Sequence, residues 1–226
     1  MVAIDRSASD LAWAEPVDNI VCIEGDVSTE ATNAAGVAAA LDHFGRLDAS
    51  VLNAGVASSG DLVNQPMDEF ERSLAVNVRG VVLGVRAATP AMLATGQDPA
   101  FCVTASTSGL RGDPGMWSYN TAKGAVVNYV RSAALDLGPY GIRINAVAPG
   151  PTDTGMTTRL KEIPRAYEQL RQRMAVQRWA TAEEVAQVIS FLVSPAASIV
   201  TGAIVPADGG MSANTGQFLP GPRPQG

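Results

Sequence analysis

The sequence predicts an α/β protein: a doubly wound parallel sheet with helices on both faces, folded as a single domain. Short apolar runs rich in β-branched residues alternate with longer segments of helical periodicity. The runs are apolar on both faces, as strands covered from two sides must be.

The strands are expected at Val2 to Asp5, Ile20 to Glu24, Ala49 to Leu52, Phe101 to Ala105, Ile142 to Val147 and Ala203 to Val205. A helix is expected from Ser28, as N-cap, to Phe44, with Gly45 as its stop. Others are expected from Pro66 to about Ala94, from Tyr119 to Leu137 and from Thr181 to Leu192. Thr152 to Gln177 breaks the rhythm and reads as a lid or substrate loop, with a short helix around Arg165 to Met174. Residues 1–211 form the domain, and the Pro/Gly-rich residues 212–226 read as a flexible tail.

With 226 residues and 46% apolar side chains, the chain can bury one full core. Its formal charge of -6 offers no basic face, so nucleic acid is not an expected partner. No stretch approaches the ~18 apolar residues needed to span a bilayer, and the chain opens on no leader-like pattern. A cytoplasmic protein working on small molecules is expected. Cys22 and Cys102 lie in strand-like runs and read as buried thiols. The lone His43 precedes Phe44 and Gly45 and reads as a helix-end residue, so no metal site is expected.

The chemistry concentrates in Tyr119-Asn-Thr-Ala-Lys123, where a spacing of four on a helix places an ammonium beside a phenol. A phenol has a pKa of about 10, and a neighbouring cation favours its ionised form, moving it toward acid/base work near neutrality. Ser106 lies thirteen residues earlier at the end of a strand, the end at which open α/β sheets bind ligands.

Here the sequence resembles the short-chain dehydrogenase/reductase family, whose Ser, Tyr and Lys follow this spacing, and the resemblance runs from Asp5 to Gly210. Asn53-Ala54-Gly55 resembles the family's Asn-Ala-Gly turn, and Asn77 its helical catalytic asparagine. Pro149-Gly150 with Thr152 and Thr154 resembles the turn that holds the nicotinamide carboxamide, and Asp208-Gly-Gly210 the closing Asp-Gly-Gly.

The resemblance implies a Rossmann-like fold and hydride transfer between a nicotinamide cofactor and a secondary alcohol or ketone. Tyr119 would be the general acid/base, Lys123 would favour its phenolate and hold the nicotinamide ribose, Ser106 would bond the reacting oxygen, and Asn77 would anchor a water. Asp5 ends the first strand with a carboxylate suited to ribose hydroxyls, favouring NAD over NADP, although Arg6 follows it. Asp26 and Val27 resemble the adenine-pocket pair. Asp5 and Asp26 can equally serve as helix caps. Asp113 and Trp117, with Arg111, Met116 and the 152–177 loop, are expected around the substrate, and a homodimer or homotetramer is implied.

The glycine-rich turn that binds pyrophosphate should lie about twenty residues before the ribose acid. No Gly-x-x-x-Gly-x-Gly occurs in the sequence, so the fold is expected to lack its first strand, that turn and the first helix. The vacancy should fall between the Val2 and Ala49 strands. An inactive family member acting as a binding or scaffold subunit is the alternative reading.

Overall fold

The computed structural model describes residues 1–15 and 17–221. Its core sheet is parallel throughout, in the order β3 (Ala49–Leu52), β4 (Ala100–Thr104), β5 (Arg143–Pro149), β8 (Ile204–Ala207). A second parallel pair joins β1 (Val2–Asp5) to β2 (Val21–Glu24), with Val2 opposite Val21 and Asp5 opposite Glu24. Two-residue strands β6 (Thr152–Asp153) and β7 (Ala180–Thr181) pair near the lid segment.

β1 and β3 do not pair, so the sheet is divided where the sequence predicted a vacancy. Each keeps one edge of backbone donors and acceptors unpaired within the sheet. Val51, on β3, is 44% exposed, whereas Phe101, Cys102 and Val103 on neighbouring β4 are fully buried.

Helices on one face tie the two pieces together. α2 (Glu30–Phe44) packs on β1, and α4 (Gly80–Thr95) packs on β3. Glycines permit both approaches: a Cβ on Gly36 would stand 2.5 Å from the Ile4 side chain, and one on Gly84 would stand 2.5 Å from that of Leu52. α2 and α4 also touch each other, with Asn33 beside Gly84. On the same face α5 (Trp117–Leu137) buries Val126, Val130 and Ala134 against Ile144 and Phe101. The opposite face receives α8 (Ala182–Val193), whose Val185 and Leu192 pack with Cys102 and Val147.

Several boundaries differ from expectation. α2 is capped by Thr29, not Ser28, because the Thr29 hydroxyl accepts the Thr32 N–H while the Ser28 N–H is taken by Asp26. The helix expected from Pro66 is interrupted: α3 (Met67–Leu74) runs into one turn of π-helix over Ala75–Arg79 before α4. α5 begins at Trp117, two residues before Tyr119. Short helices α1 (Ala8–Leu11) and α6 (Thr158–Lys161) were not anticipated, while α7 (Pro164–Arg173) lies close to its expected place. Of the expected tail, residues 222–226 lie outside the described residues, and the Gly221 carbonyl accepts a bond from Gln177.

Arg143 locks α8 to the sheet. Its side chain is buried on β5, and its guanidinium donates to the carbonyls of Leu192 and Ser194 at 2.8 and 3.1 Å, satisfying the end of α8. Arg143→Met should strand both carbonyls and cost about 3 kcal/mol, a fall in Tm of about 6–12 °C for a domain of this size. A melt within 2 °C or so of wild type would show that water replaces the guanidinium.

Candidate active site

Asp5, Asn53, Ser106 and Pro149 sit at the C-terminal ends of β1, β3, β4 and β5, so parallel strands bring sequence-distant groups to one rim.

Lys123 lies at the centre of the catalytic group. Its side chain is 3% exposed, and Nζ donates to the Thr104 carbonyl at 2.7 Å. Gly55 leaves room for it: a Cβ there would lie 3.4 Å from Lys123 Nζ and 2.8 Å from Asn77 Oδ1. Burial lowers the Lys123 pKa to about 8.

Tyr119, 9% exposed, faces the same space, with Nζ 5.8 Å from its ring centroid. The sequence predicts that this ammonium favours the phenolate. In the folded chain burial raises the Tyr119 pKa; Ser106 opposes that rise and the Asp113 charge adds to it. Ser106 Oγ accepts the Ser108 N–H at 3.1 Å, which occupies one acceptor direction and leaves its own O–H to donate.

Asn77 is fully buried in the π turn, where the Gly80 N–H reaches back to the Ala75 carbonyl. Its amide donates to Val56 O and Ser73 O, both at 3.0 Å, and accepts the Val56 N–H at 3.3 Å. The side chain therefore ties the helix to the turn after β3.

The remaining expected residues are placed as follows. Thr104 Oγ1 donates to Asn53 Oδ1 at 2.8 Å, fixing the Asn53-Ala54-Gly55 turn. Asp5 Oδ1 accepts the Ser7 N–H at 3.0 Å, and Asp26 Oδ1 the Ser28 N–H at 2.8 Å, so both carboxylates do organise the following turns. That bond lowers the Asp26 pKa. Val27 packs on Gly80. Gly150 passes so close to Asp208 that a Cβ would stand 2.8 Å from the Asp208 Cβ. Asp208 in turn accepts the N–H groups of Gly210 and Ser212. Thr152 Oγ1 donates to Gly150 O, and Thr154 N donates to Thr157 Oγ1. Trp117 stacks on Phe70 with ring centroids 5.2 Å apart. His43 is exposed at the end of α2, remote from this rim.

Thr104, Ser108 and Thr157 were missed from sequence. Each is a small hydroxyl residue whose importance lies in which backbone group it meets, and one sequence carries no sign of that.

The profile of the enoyl-(acyl carrier protein) reductase family matches residues 2–212. The chain is 36% identical over 222 residues to 2-(R)-hydroxypropyl-CoM dehydrogenase of Xanthobacter autotrophicus, covering 94% of this chain and 88% of that protein. It is 38% identical over 217 residues to meso-2,3-butanediol dehydrogenase of Serratia marcescens, covering 95% and 82%. The chain belongs to the short-chain dehydrogenase/reductase family. It is an NAD(P)-dependent oxidoreductase of that family, and the fold agrees. The crystal structure of levodione reductase superposes with a TM-score of 0.87 at 34% identity, covering 94% of this chain and 87% of the other. A 3-ketoacyl-(acyl-carrier-protein) reductase from Brucella melitensis complexed with NADH gives 0.85 at 33% identity, covering 93% and 87%. ElxO with NADP bound gives 0.85 at 26%, covering 94% and 88%.

The residues present fit the two ends of such a cofactor. Asp5 Oδ2 accepts no bond from the described residues, leaving it available to ribose hydroxyls, and the buried Lys123 ammonium has donors beyond the one given to Thr104.

The buried ammonium sets a stability test. Its folded pKa of about 8 lies below the ordinary 10.5, so unfolded chains hold more protons between those values and stability rises with pH across that window. At pH 7 the charge costs about 3 kcal/mol; Lys123→Met removes that cost but leaves the Thr104 carbonyl without its donor, worth about 1–3 kcal/mol. The variant should melt at or above wild type at pH 7, and wild type should gain on it from pH 8 to 10.5. A variant melting well below wild type, by a margin indifferent to pH, would contradict this.

Proposed function

We propose that this enzyme oxidises a small secondary alcohol, or reduces the corresponding ketone, with Tyr119 as general acid/base. The observation that carries the reading is the convergence of Ser106, Tyr119 and Lys123, each less than a tenth exposed, at one strand-end rim. Bound nicotinamide supplies or accepts the hydride. Tyr119 gives its phenolic proton to the ketone oxygen in reduction and takes the hydroxyl proton in oxidation. Ser106, its acceptor side held by the Ser108 N–H, donates to the same oxygen and orients the carbon. Lys123 binds the nicotinamide ribose, with its position set by Thr104. Asn77 holds the π turn and the Asn53-Ala54-Gly55 segment together around it.

Asn53, Ala54, Gly55, Pro149, Gly150, Thr152 and Thr154 line the nicotinamide side, while Asp5, Asp26 and Val27 serve the adenosine side. The free Asp5 oxygen supports NAD over NADP, because a carboxylate there repels a 2′-phosphate. Pyrophosphate binding calls for a strand and turn filling the opening between β1 and β3. The groove between α4 and α5, lined by Val85, Tyr129, Ala133 and Leu137 with Arg86 and Asp136, supports a homodimer or homotetramer built on these helices. A cytoplasmic location accords with the charge and composition.

Tyr119→Phe should lower turnover by at least about a hundredfold while cofactor binding stays nearly unchanged, since only the exchangeable proton is lost. Stopped-flow hydride transfer and cofactor titration by fluorescence measure the two separately. Turnover within a fewfold of wild type would remove Tyr119 from the chemistry. Asp5→Ser should narrow the ratio of kcat/KM for NAD to that for NADP; a wild-type preference for NADP would show that Asp5 does not set the choice.

A further inference from the structure

Tyr119 is the third residue of α5, and that helix begins without a side-chain cap: Met116 stands at the N-cap position and makes no side-chain bond to the first turn. An uncapped first turn has backbone donors to spare and little to hold it, so the placement of the phenol depends on bonds from this turn to other segments. Lys123 anchors the next turn to Thr104. Ser118, the neighbour of Tyr119, anchors the first.

Ser118 is fully buried, and Ser58, sixty residues earlier in the segment after β3, is 6% exposed. The Ser118 hydroxyl donates to Ser58 Oγ at 3.0 Å, while Gln65 Nε2 donates to Ser58 Oγ at 2.8 Å and to Ser118 Oγ at 3.3 Å. The three side chains close one polar cluster. The segment is shaped to present Gln65: Asp61 Oδ1 accepts the N–H groups of Val63 and Asn64, and the Asp61 carbonyl accepts the Gln65 N–H at 3.0 Å. Gly60 permits the fold-back, since a Cβ there would stand 2.9 Å from Gln65 Cδ, and its own N–H donates to the Gly115 carbonyl at 2.9 Å, just before α5. Near its start the same segment is held by Asn77 through the Val56 backbone.

Consecutive helical residues point about 100° apart, so Ser118 meets this cluster while Tyr119 turns its ring toward Lys123. Ser118 therefore acts on the phenol through the backbone they share. We propose that Ser118, held by Ser58 and Gln65, is the positioning residue that fixes Tyr119 for proton transfer. The proposal rests on the reading of Tyr119 as general acid/base and adds the group that sets its reach. Misplacement of a reacting group by about 1 Å costs on the order of a hundredfold in rate. Loosening this turn slows the chemical step and leaves affinity to the groups that touch substrate and cofactor.

The test follows single-turnover hydride transfer from 2,3-butanediol to NAD, with the affinity for each, in Ser118→Ala, Gln65→Ala, Tyr119→Phe and the double variant Ser118→Ala/Tyr119→Phe. Ser118→Ala should slow transfer by about tenfold or more, with both affinities within about twofold of wild type. Gln65→Ala should reproduce this from the other side of the cluster, and it carries the test if Ser118→Ala fails to fold. Added to Tyr119→Phe, Ser118→Ala should cause no further loss, because it works through the phenol; a general structural defect would cost the same in both backgrounds. Hydrogen exchange of the Asn120 amide, bonded to the Met116 carbonyl at 2.8 Å, reads the same turn without substrate or cofactor. It should quicken severalfold in Ser118→Ala while exchange at Val130, deeper in α5, stays as in wild type. Unchanged Asn120 exchange overturns the proposal whatever the turnover. Wild-type transfer rates in both single variants, or equal losses in both backgrounds, overturn it and leave the Tyr119 reading standing. Transfer by Tyr119→Phe as fast as wild type removes that reading and the proposal with it.

Discussion

One buried hydrogen bond, from Lys123 Nζ to the carbonyl of Thr104, holds the site in register. It joins α5 to the end of β4, and through the Thr104 hydroxyl it extends to Asn53 at the end of β3. Gly55 and Gly109 leave space for it: a Cβ on Gly109 would stand 2.6 Å from the Lys123 carbonyl oxygen. The ammonium is held where solvation is poor, and burial lowers its pKa. Stability is given up at this point so that one cation can sit beside the Tyr119 ring.

The second constraint is the division of the sheet. α2 and α4 bridge it on one face, using Gly36 and Gly84 to approach β1 and β3 closely. The edges of β1 and β3 and the exposed face of Val51 mark where pairing and cover are lacking.

Much of this was legible in sequence. The strand runs follow from periodicity, while the spacing from Ser106 to Tyr119 to Lys123 and the vacancy between Val2 and Ala49 follow from the resemblance to the family. Local patterns were less informative where a tertiary contact decides. The π turn around Asn77 depends on the Val56 backbone, twenty-one residues away. Arg143 reads as an oddity in an apolar strand until α8 presents its carbonyls. The Tyr119 and Lys123 spacing correctly predicted nearness, but the sign of the effect on Tyr119 depends on burial, which spacing does not reveal.

That burial disfavours the Tyr119 phenolate is the central claim about how this site is tuned. Ultraviolet difference titration of wild type against Tyr119→Phe isolates the Tyr119 phenolate from the other tyrosines. For the chain without cofactor the account predicts ionisation above the ordinary value of about 10, because a desolvated phenolate is disfavoured. A midpoint at or below that value would contradict the account.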